Sequence, residues 1–185
     1  MPEFREVERL LEVYVPSTAH EHDAWALAAC RQALLAARQD TYGVGAVLVD
    51  PTGSVIVEGH NRVHIGGFRS DLHAEMVVMN AFERDLAGPV DLNAHTLVTS
   101  LEPCPMCMTR LIYAGVGTIL HVAEDDFGGM VTRREKLPPI FREITNRQSQ
   151  VWAAADCTDD LREAALAIWS AVRAAVDKST FERGE

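Results

Sequence analysis

"SLEPCPMCMTRL", Ser100 to Leu111, sets two cysteines three residues apart behind two prolines. The run just before it, "HTLVTS" from His95, is β-branched and apolar and reads as a strand. The run after it, "CMTRLIYAG", has helical periodicity and stops at Gly115. A strand therefore hands over to a helix within the few residues that carry Cys104 and Cys107. Residues three apart at a helix start share a face, so both sulfurs can converge on one point, where the helix N-terminus favours thiolate. Metal binding and thiol–disulfide redox both need that arrangement, and a lone C-x-x-C does not choose between them.

Outward from this junction the chain alternates. "MPEFREVERLLEVYVP" carries Phe4, Val7, Leu10, Leu11 and Tyr14 at helical spacing, and "STAHEHDAWALAACRQALLAARQ" is a second helix with Ser17 and Thr18 as expected caps. "GVGAVLVD" and "SVIVEGH" form a hairpin across the turn "PTG", and "HAEMVVMNAFERDL" returns to helix. "TILHVA" is a strand; Pro138 and Pro139 break "EKLPPIF"; "QVWAAAD" offers a fifth strand. The last helix, Asp159 to Lys178, puts Leu161, Ala165, Ile168, Trp169 and Val172 on one stripe, expected to pack on the chain's own sheet. This order predicts an α/β fold, a three-layer α/β/α sandwich with a central mixed five-stranded sheet, in a single domain over residues 1–185.

Composition narrows the function. The 185 residues carry a formal net charge of −10, which disfavours polyanion binding and makes nucleic acid an unlikely partner on charge grounds. The basic run Arg133, Arg134, Lys136, Arg142 and Arg147 reads as a solvated helix face. No stretch is apolar enough for a signal peptide or a membrane span, and four cysteines in a chain this long are not a secreted disulfide framework. A cytoplasmic protein with free thiols and no membrane association is expected.

His73 and Glu75, in "HAE" at the entry to another helix, break the tie at the cysteines. One imidazole and two thiolates make a three-ligand zinc set, and three protein ligands leave the fourth tetrahedral position open, the mark of a catalytic site. A carboxylate beside the metal that is not a ligand, Glu75, can move protons both to and from the reacting centre. In a regular helix His73 and Glu75 would diverge by roughly 200°, so the pairing requires His73 to sit at the first turn. H-x-E followed by P-C-x-x-C, here His73, Glu75, Pro103, Cys104 and Cys107, is the order zinc nucleobase deaminases use.

With "GVGAVLVD", "GHNR", "HAE", "TSLEPCPMC" and "ILHVAED" in this order between Gly43 and Asp125, the sequence resembles the cytidine deaminase-like superfamily. Within it the resemblance is to the branch of guanine deaminases, cytosine deaminases and tRNA adenosine deaminases. It implies one zinc ion on His73, Cys104 and Cys107, with Glu75 as the catalytic proton carrier. It further implies that Asn61, the backbone N–H of Ala74 and the backbone carbonyl of Glu102 hold the substrate, with Val44 and Val47 as pocket walls. The implied catalytic core is residues 19–126. Segment 127–185 helps decide the substrate in this family and in some members is exchanged between subunits. A homodimer acting on a small nucleobase or nucleoside is implied, a guanine-like purine being favoured over a cytosine base or a tRNA adenosine. A non-catalytic zinc module is the reading from a different class.

Two features depart from the family pattern. "FRSDLHAE" puts Arg69, Ser70, Asp71 and Leu72 ahead of the metal histidine where relatives often read "DPTAHAE", and nothing after Asp125 matches a family block. Phe68, Phe127, Phe141 and Trp152 are each able to stack on a base, although aromatic side chains mostly fill cores. His60, His64, His95 and His121 read as packed or half-exposed histidines, and Cys30 and Cys157 as buried thiols.

Overall fold

The structure, a computed structural model, describes residues 2–84 and 90–181. Two helices open the chain, α1 (Pro2–Val13) and α2 (Asp23–Ala37), followed by the hairpin β1 (Gly45–Val49) and β2 (Val55–His60). Then come α3 (Ala74–Glu83), β3 (Thr96–Leu101), α4 (Pro105–Ala114) and β4 (Thr118–Ala123). A single 3-10 turn (Arg134–Lys136), α5 (Pro139–Arg147), β5 (Val151–Ala154) and α6 (Asp159–Phe181) complete it. The strands lie in the order β2-β1-β3-β4-β5. β1 is antiparallel to both β2 and β3, whereas β3, β4 and β5 run parallel. Parallel neighbours need a crossover, and α4 and α5 supply the two.

Helices cover both faces, giving the three-layer α/β/α sandwich that the element order predicts. α2 lies directly on β1: a Cβ at Gly45 would sit 2.3 Å from the Ala29 carbonyl oxygen, so only glycine lets helix and strand approach this closely. α1 and α6 flank α2, and α3 covers β1 and β2 from the opposite side. The central strands β1, β3 and β4 are buried along almost their whole length, as strands covered by helices on both faces must be.

The start of α2 corrects the expected caps. His22, not Ser17 or Thr18, is the cap residue, and the preceding segment is tied down by the buried Asp23. Its carboxylate accepts from the Ser17 N–H (2.7 Å), the Thr158 N–H (2.8 Å) and the Tyr14 hydroxyl (2.9 Å). Burial raises the Asp23 pKa, but those donors outweigh it and hold the carboxyl below its ordinary value. One side chain thereby joins the α1–α2 linker to the start of α6. The helix over "HAEMVVMNAFERDL" runs to Glu83, with Asp85 and Leu86 outside the described residues. β5 and α6 fall where the sequence places them.

Candidate zinc centre and active site

The two ligand-bearing segments are built alike. His73 is the cap residue of α3, with extended backbone (φ −65°, ψ 159°), and Cys104 is the cap residue of α4 (φ −71°, ψ 169°). Neither side chain makes a capping hydrogen bond, although cap residues ordinarily do. Glu75 is the second residue of α3, Cys107 the third of α4, and Pro105 takes the first helical position, where a missing N–H costs nothing. His73 thus stands outside the helical spiral. That satisfies the condition for His73 and Glu75 to reach the same point.

His73, Cys104 and Cys107 place their ligand atoms within 4.8 Å of one another, the one such cluster of three among the described residues. The Cys104 Sγ lies 3.6 Å from His73 Nδ1. Bonds of about 2.3 Å to sulfur and about 2.05 Å to nitrogen at a tetrahedral angle require a separation of about 3.6 Å, so the donor set fits zinc. Its electrostatics agree. A hydrogen bond from Cys107, helped by His73 and opposed by burial, brings the Cys104 thiol down to about 4. Cys107, facing that sulfur in a buried site, is pushed well above the ordinary thiol range, a proton that a dication would displace. Glu75 is 4% exposed, and burial raises its pKa while its Oε2 accepts from the Cys107 sulfur at 3.3 Å.

A cavity of about 550 Å³ opens onto this cluster. Asn61, Ala74 and Glu102 line it, as does Val44, which precedes β1. Val47 does not: it is fully buried inside β1, two residues beyond the strand's start, and belongs to the core. The Asn61 side-chain oxygen accepts from the Thr41 hydroxyl (2.7 Å) and the Val63 N–H (3.0 Å), leaving the amide NH2 as the unengaged end. The Glu102 carboxylate faces its own loop, accepting from the N–H groups of Thr132 (2.9 Å) and Asp125 (3.1 Å). A Cβ at Gly129 would stand 2.3 Å from that carboxylate, so the loop closes only around glycine.

Of the four aromatic candidates, Phe68 and Phe127 line the cavity. Phe141 instead packs edge-on against Tyr113, and Trp152 lines a separate cavity of about 620 Å³ together with Arg134 and Arg142. Both arginines are exposed at that cavity, as the expected solvated face requires. The sequence reading missed Tyr42, Trp169, Arg173, Asp177 and Thr180, which complete the cavity wall. Except for Tyr42 they come from α6, at positions spaced three to four apart along one face. That spacing was readable; that this face meets the cavity was not. None of His60, His64, His95 and His121 joins the metal cluster, and Cys30 and Cys157 are buried free thiols.

Three candidate ligands from two helix starts, with a buried carboxylate beside them and no fourth protein ligand among the described residues, have the composition of an open zinc site. The model of the cytidine and deoxycytidylate deaminase zinc-binding region matches residues 19–123, and the chain belongs to that family. It is 38% identical over 128 residues to the tRNA(Ile)-lysidine synthase of Thermus thermophilus, covering 69% of this chain but 22% of that protein. It is 36% identical over 101 residues to the tRNA-specific adenosine deaminase of Bacillus subtilis, covering 55% of this chain and 61% of that one. The chain thus spans less than two thirds of either relative. In fold it resembles the guanine deaminase from Nitrosomonas europaea, with a TM-score of 0.64 at 22% identity, covering 90% of this chain and 91% of that one.

Among the described residues, no helix is long and apolar enough to cross a membrane.

Proposed function

We propose that the chain, acting as one domain over residues 1–185 and as a homodimer, hydrolyses the C–NH2 bond of a small aminated heterocycle, a guanine-like purine by preference. Water and the amine become a carbonyl and ammonia. His73, Cys104 and Cys107 would hold the metal. When bound, zinc lowers the pKa of the water it coordinates and so supplies the nucleophile near neutral pH. Glu75 takes up a proton at a carboxylate oxygen and passes it to the departing amine, a role that a raised pKa in a buried position serves. Asn61 and the Ala74 N–H hold the ring, and the Glu102 carbonyl orients the amino group.

The observation that carries this reading is the cavity, whose lining includes two of the candidate zinc ligands, His73 and Cys104, together with Glu75. Its size suits a single base. The preference for a guanine-like base is supported by the wall from α6, since the guanine deaminase fold covers 90% of the chain. The test is ammonia release by the zinc-loaded protein from guanine, adenine, cytosine and their nucleosides. A second reading, tRNA adenosine deamination, is favoured by the 36% identity to the Bacillus subtilis enzyme. Turnover of an anticodon stem-loop alone would select it.

A further inference from the structure

Arg173 is the one lysine or arginine among the residues lining the zinc cavity, and its surroundings fix it in place. Its guanidinium carbon sits 4.4 Å from the centre of the Phe127 ring and 5.6 Å from that of Trp169. Two aromatic faces thus hold the guanidinium as cation–π contacts. Nε donates to the Asp177 carboxylate at 3.3 Å, and the other oxygen of Asp177 accepts from the Tyr42 hydroxyl at 2.9 Å. Tyr42 in turn packs against Trp169, with ring centres 5.6 Å apart. Ring contacts and the carboxylate therefore orient one edge of the guanidinium. Among the described residues the two η nitrogens donate to nothing.

We infer that these η nitrogens read the substrate: Arg173, positioned by Asp177, selects neutral heterocycles that carry a ring carbonyl as well as the amino group. The inference rests on the deaminase reading of the same site. A guanidinium has only donors, so its partner must be an acceptor. An anionic substituent is the poorer partner, because Asp177 already offsets the single cation and Asp125 adds another carboxylate to the lining. A ring carbonyl satisfies the donors without bringing charge. A heterocycle lacking that carbonyl offers the η nitrogens no such acceptor and leaves them to water, which discriminates against it.

Matched pairs isolate the carbonyl: guanine against 2-aminopurine, and cytosine against 4-aminopyrimidine. Binding of each to the zinc-loaded full chain is followed by tryptophan fluorescence and turnover by ammonia release, in wild type, Arg173→Met, Arg173→Lys, Asp177→Asn and Glu75→Gln, with thermal melting and zinc content confirming that each variant folds. Arg173→Met is expected to weaken binding of the oxo member of a pair about tenfold to a hundredfold, and of the member without it less than about twofold. KM should rise more than kcat falls, Arg173→Lys should recover part of the loss, and Asp177→Asn should lose less than Arg173→Met. Folded Arg173→Met that keeps the wild-type preference overturns the inference, as does wild type that binds both members equally. Tighter binding of guanosine 5′-monophosphate, lost in Arg173→Met, also overturns it by making Arg173 an anion site. The two readings fail separately: oxo-selective binding that depends on Arg173 without turnover sinks the deaminase reading alone, and turnover with unchanged selectivity in Arg173→Met sinks this one alone.

Discussion

The metal end of the cavity and its outer wall are made by different rules. At the metal end, His73 and Cys104 each cap a helix, and the companion residue follows within three positions, so each half of the cluster is a local motif. At the outer wall, Tyr42 meets Trp169, Asp177 and Thr180, residues more than a hundred positions away in sequence. The difference teaches that the candidate metal site is written in short motifs, while the wall of its cavity depends on how a distant helix packs. A chain can therefore keep the first and change the second by moving one helix.

Experiments that break the metal end should have the largest effects. Cys107→Ala removes a ligand and is expected to lower bound zinc from about one ion per chain to near zero, with ammonia release at background; elemental analysis and a coupled assay check both. Glu75→Gln separates ligation from chemistry. It should keep the zinc and lose about 10²- to 10⁴-fold in kcat, and a variant with unchanged turnover would leave only the non-catalytic module.

The outer wall depends on α6 being anchored, and Asp23 holds its first turn. Asp23→Ala leaves the donors of Ser17, Thr158 and Tyr14 without their acceptor and should cost about 3 kcal/mol in urea unfolding, with kcat changed less than about twofold. A carboxyl held below its ordinary value of 3.8 stabilises the folded state above that value and loses its contribution as pH falls through the folded pKa. The gap between wild type and Asp23→Ala should accordingly be widest near neutral pH and close below about 3.8. Smallest of all, Arg69→Ala removes the exposed Arg69–Asp71 pair of the loop ahead of His73 and should leave the urea midpoint essentially unchanged. A larger change in KM than in stability would make that loop a third element of the comparison.

The same contrast explains what the sequence disclosed. Cys104, Cys107, His73 and Glu75 were readable because helix starts, ligand spacing and donor chemistry are local, and helix geometry requires His73 to stand at the helix start, where it is the cap residue. β5 and α6 were legible as elements from alternation and from an acidic start followed by an alanine-rich run. Arg173 and Asp177 look like ordinary surface charges in the sequence, since nothing within ten residues says which face of α6 meets the cavity. Val47 enters as a pocket wall only through the family resemblance, and a strand buried on both sides has no alternation that would tell which of its residues face an opening. Ser17 and Thr18 lose the cap of α2 to His22 because Asp23 recruits the backbone of the linker, a tertiary preference that propensity does not contain.

The strand order has a consequence for the newborn chain. β3 enters the sheet between β1 and β4, and in the chain it stands between the histidine of α3 and the cysteines of α4. During synthesis His73 is made 31 residues before Cys104, and no N-terminal fragment that ends before β3 has a complete ligand set. Synthesis order therefore makes the donor set complete only after β3 exists, so an ion that joins the two helix starts also clasps the strand made between them.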